Sequence, residues 1–177
     1  FELTNKKEYA KIAREIFTYV LRDMTDKKGG FYSAEDADSE GEEGKFYVWT
    51  SEEVDQLLGA KQGKQFAEIF GFKDEGNFHD EATRQLTKKN IPYLKTQLSR
   101  YAKKNDIDPE KLKETIEKNR LSLFNQRENR IHPLKDNKIL TDWNGLMIAA
   151  LANGGKILKD ETYTNAAEKA ANFILTN

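Results

Sequence analysis

The chain has 177 residues, enough for one domain with its own core. Its 29 Lys and Arg against 30 Asp and Glu leave no basic field to gather nucleic acid or anionic membrane, and the absence of Cys removes disulfides, thiolate metal sites and Cys nucleophiles. Hydrophobic residues are 37%, charged residues 33% and mean hydropathy -0.82, which fits a folded chain with a thin core. No apolar run approaches the roughly 20 residues that span a bilayer, so a soluble, cytoplasmic protein without membrane or nucleic-acid partners is expected.

Phe1-Glu2-Leu3-Thr4 opens the chain without an initiator Met, and Ile174-Leu175-Thr176-Asn177 closes it on an apolar helix face. Both ends are expected to be cuts in a longer chain. Tyr9, Ile12, Ala13, Ile16, Phe17, Val20, Leu21 and Met24 form one apolar stripe, predicting a helix over Lys6 to Met24 with a capping box from Asn5 and Glu8. Two aromatic segments, Gly30-Phe31-Tyr32-Ser33 and Lys45-Phe46-Tyr47-Val48-Trp49, then flank an acidic stretch from Ala34 to Gly44. Read locally, they predict a β-hairpin with a long acidic loop.

Thr50-Ser51-Glu52-Glu53 is a capping box ahead of a helix that Gly59 stops, and a short helix with Phe66, Ile69 and Phe70 ends at Gly71. Phe72 to Asn90 reads as an irregular excursion with one short strand near Asn90-Ile91. Pro92 predicts a helix through about Lys104, and Asp108-Pro109 predicts another through about Arg127. Thr141 or Asp142 caps a helix apolar on nearly every side, expected to be buried on nearly every side. The next, capped by Asp160, is one-faced. Inner and outer helix layers follow from that contrast.

Asp36, Asp38, Glu40 and Gly41 fit the start of a calcium loop, but its twelfth position is Tyr47, where a bidentate Glu is needed. A hydrated acidic turn is the simpler reading, with an acid/base pair among the same carboxylates as the alternative. Asp142-Trp143-Asn144 is either the floor of a pocket, using free N–H groups of a helix start, or a cap followed by core filling. His79 and His132 lie far apart without metal-ligand spacing, and no phosphate-binding loop follows a strand. Neither a metal nor a cofactor is expected.

The runs Gly29 to Ser39 and Glu43-Gly44-Lys45-Phe46-Tyr47-Val48-Trp49-Thr50, with Asp136 to Leu146 and Gly76-Asn77-Phe78, resemble the thioredoxin-domain-containing family related to spermatogenesis-associated protein 20. The resemblance implies a mainly α fold: a partial (α/α)6 toroid of helical hairpins with a small inserted β-hairpin, similar to six-hairpin glycosidases and N-acylglucosamine 2-epimerases. Residues 1–177 would be a single partial toroid domain, without the thioredoxin-like domain and the later hairpins, which would be its partners. His79 and His132 fall outside the shared motifs, so the epimerases' catalytic histidines have no counterpart here. The function implied is a carbohydrate-active or carbohydrate-binding one, with a sugar as ligand. Trp49 or Trp143 would stack on the sugar, Asn144 would help bind it, and Asp36, Asp38 and Asp142 would hydrogen-bond hydroxyls or act in acid/base catalysis. The other readings are a non-catalytic platform serving a thioredoxin-like domain, and a plain structural domain in which the acidic hairpin clamps neighbouring helices.

Overall fold

The amphipathic stripe near the N-terminus does form a helix, the first of seven helices and four two-residue strands among the described residues, 1–80 and 83–177 of a computed structural model. In chain order these are α1 (Lys7–Asp23), β1 (Ala34–Glu35), β2 (Asp38–Ser39), β3 (Glu42–Glu43), α2 (Ser51–Leu58), α3 (Ala60–Phe70), α4 (Leu98–Lys104), α5 (Pro109–Arg127), β4 (Lys135–Asp136), α6 (Thr141–Leu158) and α7 (Glu161–Thr176). The fold is mainly helical with small β-hairpin insertions. It divides into two compact units, one of residues 1–36 with 135–177 and the other of residues 37–134. No helix among the described residues is long and apolar enough to cross a membrane.

In the first unit, Phe17 and Val20 of α1 pack with Phe31, Leu151 of α6 and Tyr163, Ala167 and Ala170 of α7. Tyr9, Ile12 and Ile16 of the same α1 stripe stay exposed. The predicted Asn5–Glu8 box does not form: the amides of Thr4 and Asn5 turn back to the Phe1 carbonyl, Asn5 adopts a positive φ, and Lys6 takes the N-cap without a side-chain bond. Arg14 ties α1 to the α6–α7 turn, donating to Asp160 at 2.7 Å and to the Leu158 carbonyl at 2.8 Å. Asp160 caps α7 as expected, accepting from the Thr162 amide.

The expectation that α6 is buried all round is corrected. Its buried residues are Asn144, Leu151 and Gly155, on one face, while Trp143 and Leu146 are exposed. Leu140, not Thr141 or Asp142, holds the N-cap position. Apolar composition sets how much a helix could bury, not how many neighbours it has. Where α6 meets α7 the approach is tight: a Cβ on Gly155 would lie 2.2 Å from Thr164 Oγ1, 3.0 Å from the Thr164 amide and 3.2 Å from the Asp160 carbonyl. Gly155→Ala is therefore expected to cost about 1–3 kcal/mol as the hairpin is pushed apart. Gly145→Ala, whose Cβ would meet nothing within 4 Å, serves as the control, and thermal melts of the two variants compare them.

In the second unit the predicted caps hold. Thr50 and Glu53 form a reciprocal capping box at α2, and Asp108 accepts from the Lys111 amide ahead of Pro109 at the start of α5. Trp49, Val54, Phe66, Ile69, Tyr101, Ala102, Leu112, Ile116 and Leu123 make one core. Burial and a hydrogen bond to Glu68 push the Tyr101 hydroxyl up to about 12. The helix predicted from Pro92 begins only at Leu98. The amides of Tyr93, Lys95 and Thr96 instead donate to the Phe70 and Ile69 carbonyls, filling acceptors that the end of α3 leaves open. The excursion between Phe72 and Asn90, of which Glu81 and Ala82 lie outside the described residues, is bridged His79 to Leu86 and closes with Asn90 paired to Trp49.

The β-hairpin expected from the two aromatic segments is also corrected. Phe31 bridges Thr25, β1 pairs antiparallel with β4 (Ala34 with Asp136, Glu35 with Lys135), and Trp49 bridges Asn90. The hairpin that exists, β2–β3, lies inside the acidic stretch, pairing Asp38 with Glu43 and Ser39 with Glu42 around Glu40-Gly41. Both tip residues have positive φ, the geometry a two-residue hairpin turn demands.

Candidate functional site

In the first unit residues 29–36 and the segment Asp136–Leu146 are knitted together. Gly30 opens the passage, since a Cβ there would fall 2.8 Å from both Ile139 and Phe173. Asn144, 1% exposed, then clamps the next residue: its Oδ1 accepts from the Phe31 amide at 2.7 Å and its Nδ2 donates to the Phe31 carbonyl at 3.0 Å. The same Nδ2 donates to the Leu140 carbonyl, one turn back on α6. Hydrogen bonds from Lys138 hold the Asp136 carboxyl below the usual range beside the β1–β4 pair.

The clamp fixes the first turn of α6, and the two residues before Asn144 face water. Asp142 is exposed and accepts from the Trp143 amide at 2.9 Å, while the Trp143 side chain is 53% exposed. Asp36, just past β1, is exposed as well. Of the predicted residues in this unit, Asn144 is committed to backbone and Asp142, Trp143 and Asp36 are solvent-accessible.

In the second unit Asp38 is exposed on β2 and Trp49 is buried at 5% exposure. One face of the Trp49 indole is covered by the Arg130 guanidinium, 4.1 Å from the ring centroid. Arg130 also donates to the Phe46 carbonyl at 3.0 Å and the Val48 carbonyl at 2.7 Å, and meets Glu53 at 3.3 Å. Burial lowers its pKa, an effect the Glu53 charge opposes. Nothing in the sequence around Arg130 signals this role, because every partner lies some 80 residues away.

Beside Arg130 is a cavity of about 420 Å³, walled by Glu40, Lys45, Phe46, Glu53, Lys89 and Ile131 among others. The Glu42 carboxylate draws Lys45 and Lys89 together, at 3.0 and 2.8 Å, and Lys45 also reaches Glu40 at 3.4 Å. The Lys89 and Lys45 hydrogen bonds lower the Glu42 pKa, and the bond to Glu42 raises that of Lys45. The 47-residue separation of Glu42 from Lys89 hides this pairing from the sequence. Among the described residues no cluster of three or more His, Asp or Glu side chains could hold a metal ion.

Both motif segments are thus joined by the Asn144 clamp and the β1–β4 pair. Human spermatogenesis-associated protein 20 is 33% identical over 191 aligned residues, which cover 98% of this chain. The chain is homologous to the spermatogenesis-associated protein 20 family. The mouse protein of that name is 32% identical over the same span, and an uncharacterized protein of Caenorhabditis elegans is 33% identical over 190 residues. The chain spans about a quarter of the length of these relatives, 24% of the human and mouse proteins and 26% of the nematode one. No family model matches the sequence.

Proposed function

We propose that this chain is part of an (α/α)6 toroid that binds carbohydrate, with Trp143 as the stacking surface and Asp142 as the adjoining hydroxyl acceptor. The observation that carries the reading is the half-exposed Trp143 indole on the first turn of α6, next to an exposed carboxylate and on a helix start pinned by Asn144. An aromatic face takes the C–H side of a sugar ring while a neighbouring carboxylate takes its hydroxyls, and a pinned platform loses little entropy on binding. Trp49, under Arg130, supports the core instead. Asp36 and Asp38, exposed near the acidic hairpin, are the remaining candidates for acid/base work in the whole protein. In this reading residues 1–177 form one partial domain, the thioredoxin-like domain lying elsewhere in the parent.

Calorimetric titration with a panel of monosaccharides tests the proposal. Trp143→Ala is expected to weaken sugar binding about tenfold, or roughly 1.4 kcal/mol. Binding that survives unchanged in this variant would remove Trp143 from the site.

A second reading, a docking platform for other parts of the parent chain, is favoured by the exposed Tyr9, Ile12 and Ile16 of α1 and Leu146 of α6. Acrylamide quenching separates the two. Trp49 is buried, so the quenchable emission reports Trp143, and loss of that quenching in the full-length protein would favour docking over sugar stacking.

A further inference from the structure

The cavity in the 37–134 unit carries three cationic wall residues, Lys45, Lys89 and Arg130, against two acidic ones, Glu40 and Glu53. Arg130 spends its donors on the Phe46 and Val48 carbonyls and on Glu53, so it supplies fixed positive charge and little hydrogen bonding to a guest. The lysines are placed differently. Both contact Glu42, which is not a wall residue, Lys45 also pairs with the wall residue Glu40, and both lysines are themselves wall residues. Each ammonium has three donors, so an acceptor entering the cavity can be bound by both, in competition with Glu42. Phe46, Val48 and Ile131 supply apolar wall on the same cavity. Its volume, about 420 Å³, lies within the range of small-molecule sites.

We propose that this cavity binds a small organic anion, a carboxylate or phosphate monoester, whose acidic group is held between Lys45 and Lys89 and whose body lies along Phe46, Val48 and Ile131. The strength comes from charge-assisted hydrogen bonds in a partly enclosed site, and Glu42 is the built-in competitor for the same two ammonium groups. The cavity and the Trp143 platform share no residue, and neither proposal depends on the other.

The test is calorimetric and NMR titration of the full chain, in a Trp143→Ala background, with phenyl phosphate, benzoate and neutral benzyl alcohol. Either anion is expected to bind more tightly than benzyl alcohol, and the stronger of the two identifies the acidic group preferred. Lys45→Ala with Lys89→Ala should weaken anion binding about tenfold or more. Glu42→Gln keeps an acceptor oxygen between the two lysines but removes the negative charge that repels an anion, so it should tighten binding, which also guards against a double variant that merely misfolds. Equal binding of the neutral alcohol, anion binding that survives loss of both lysines, no anion binding at millimolar concentration, or failure of Glu42→Gln to tighten it would each overturn the proposal.

Discussion

Arg130→Met is expected to lower the stability of the 37–134 unit by roughly 3 kcal/mol, the cost of stranding buried carbonyl groups. The guanidinium is the shared donor to the Phe46 and Val48 carbonyls, on residues only 4% and 5% exposed, and it closes over Trp49 while meeting Glu53. Met keeps the length and apolar stem of the side chain but returns no donor to either carbonyl. Part of the native gain is offset by the desolvation that lowers the Arg130 pKa, which is why the expected loss is smaller than a sum over every contact. Arg130→Lys should recover part of the loss, because the Phe46 and Val48 carbonyls both accept from one guanidinium nitrogen, Nη1, whose place an ammonium can take, while the Glu53 contact through Nη2 and the flat lie on the indole are lost. Denaturant unfolding followed by Trp49 emission in a Trp143→Phe background checks both variants, and an unchanged midpoint would show that the carbonyls find other donors. The substitution also loosens the wall shared with the anion cavity, so weaker binding there should accompany the lost stability.

What was legible in the sequence follows the range of the physics involved. Thr50 with Glu53, Asp108 with Pro109, and Asp160 were readable because cap chemistry is settled within one helical turn. Asn5 shows the limit of that rule: a capping residue fails when its backbone is drawn into a turn toward Phe1. Pairing across long sequence gaps left no local mark. Each aromatic segment had the composition of a strand, but Trp49 pairs with the distant Asn90, and Ala34, just past the first segment, with the still more distant Asp136.

The same limit governed the candidate site. The order of the motif segments pointed to the family, and the homology extends over nearly the whole chain. The roles of single residues did not follow from the motif, because Trp49 and Trp143 are the same residue type in segments of equal prominence. One lies beneath a guanidinium and the other stands in water, a difference set by an arginine some 80 residues along and by the number of neighbours α6 has. Lys45 and Lys89 meet at Glu42, whose carboxylate draws together groups that composition treats as ordinary surface charge.

Asn144→Ala is expected to destabilise the unit of residues 1–36 and 135–177 by about 2–5 kcal/mol, since it leaves both backbone groups of Phe31 without their side-chain partner in a buried setting. Phe31 is 5% exposed and Asn144 1%, so water cannot replace the amide without opening the core around Phe17 and Leu151. Asn144→Asp sharpens the test. A carboxylate can still accept from the Phe31 amide, but it turns its other oxygen toward the Phe31 and Leu140 carbonyls, which now face Nδ2 at 3.0 and 2.9 Å. Protonation restores a donor, so the folded state raises the pKa of this Asp above its unfolded value of about 3.9. The protonated form's stability is then fully present below that value and is lost as pH rises through the folded pKa. The deficit of Asn144→Asp relative to the parent chain should therefore grow from pH 4 to pH 7, while that of Asn144→Ala stays nearly flat. Paired melting curves across that range measure the difference, and parallel pH profiles for the two variants would mean that the amide is not the donor to Phe31. Because the clamp also fixes the first turn of α6, both variants should weaken sugar binding at Trp143 even where the unit remains folded.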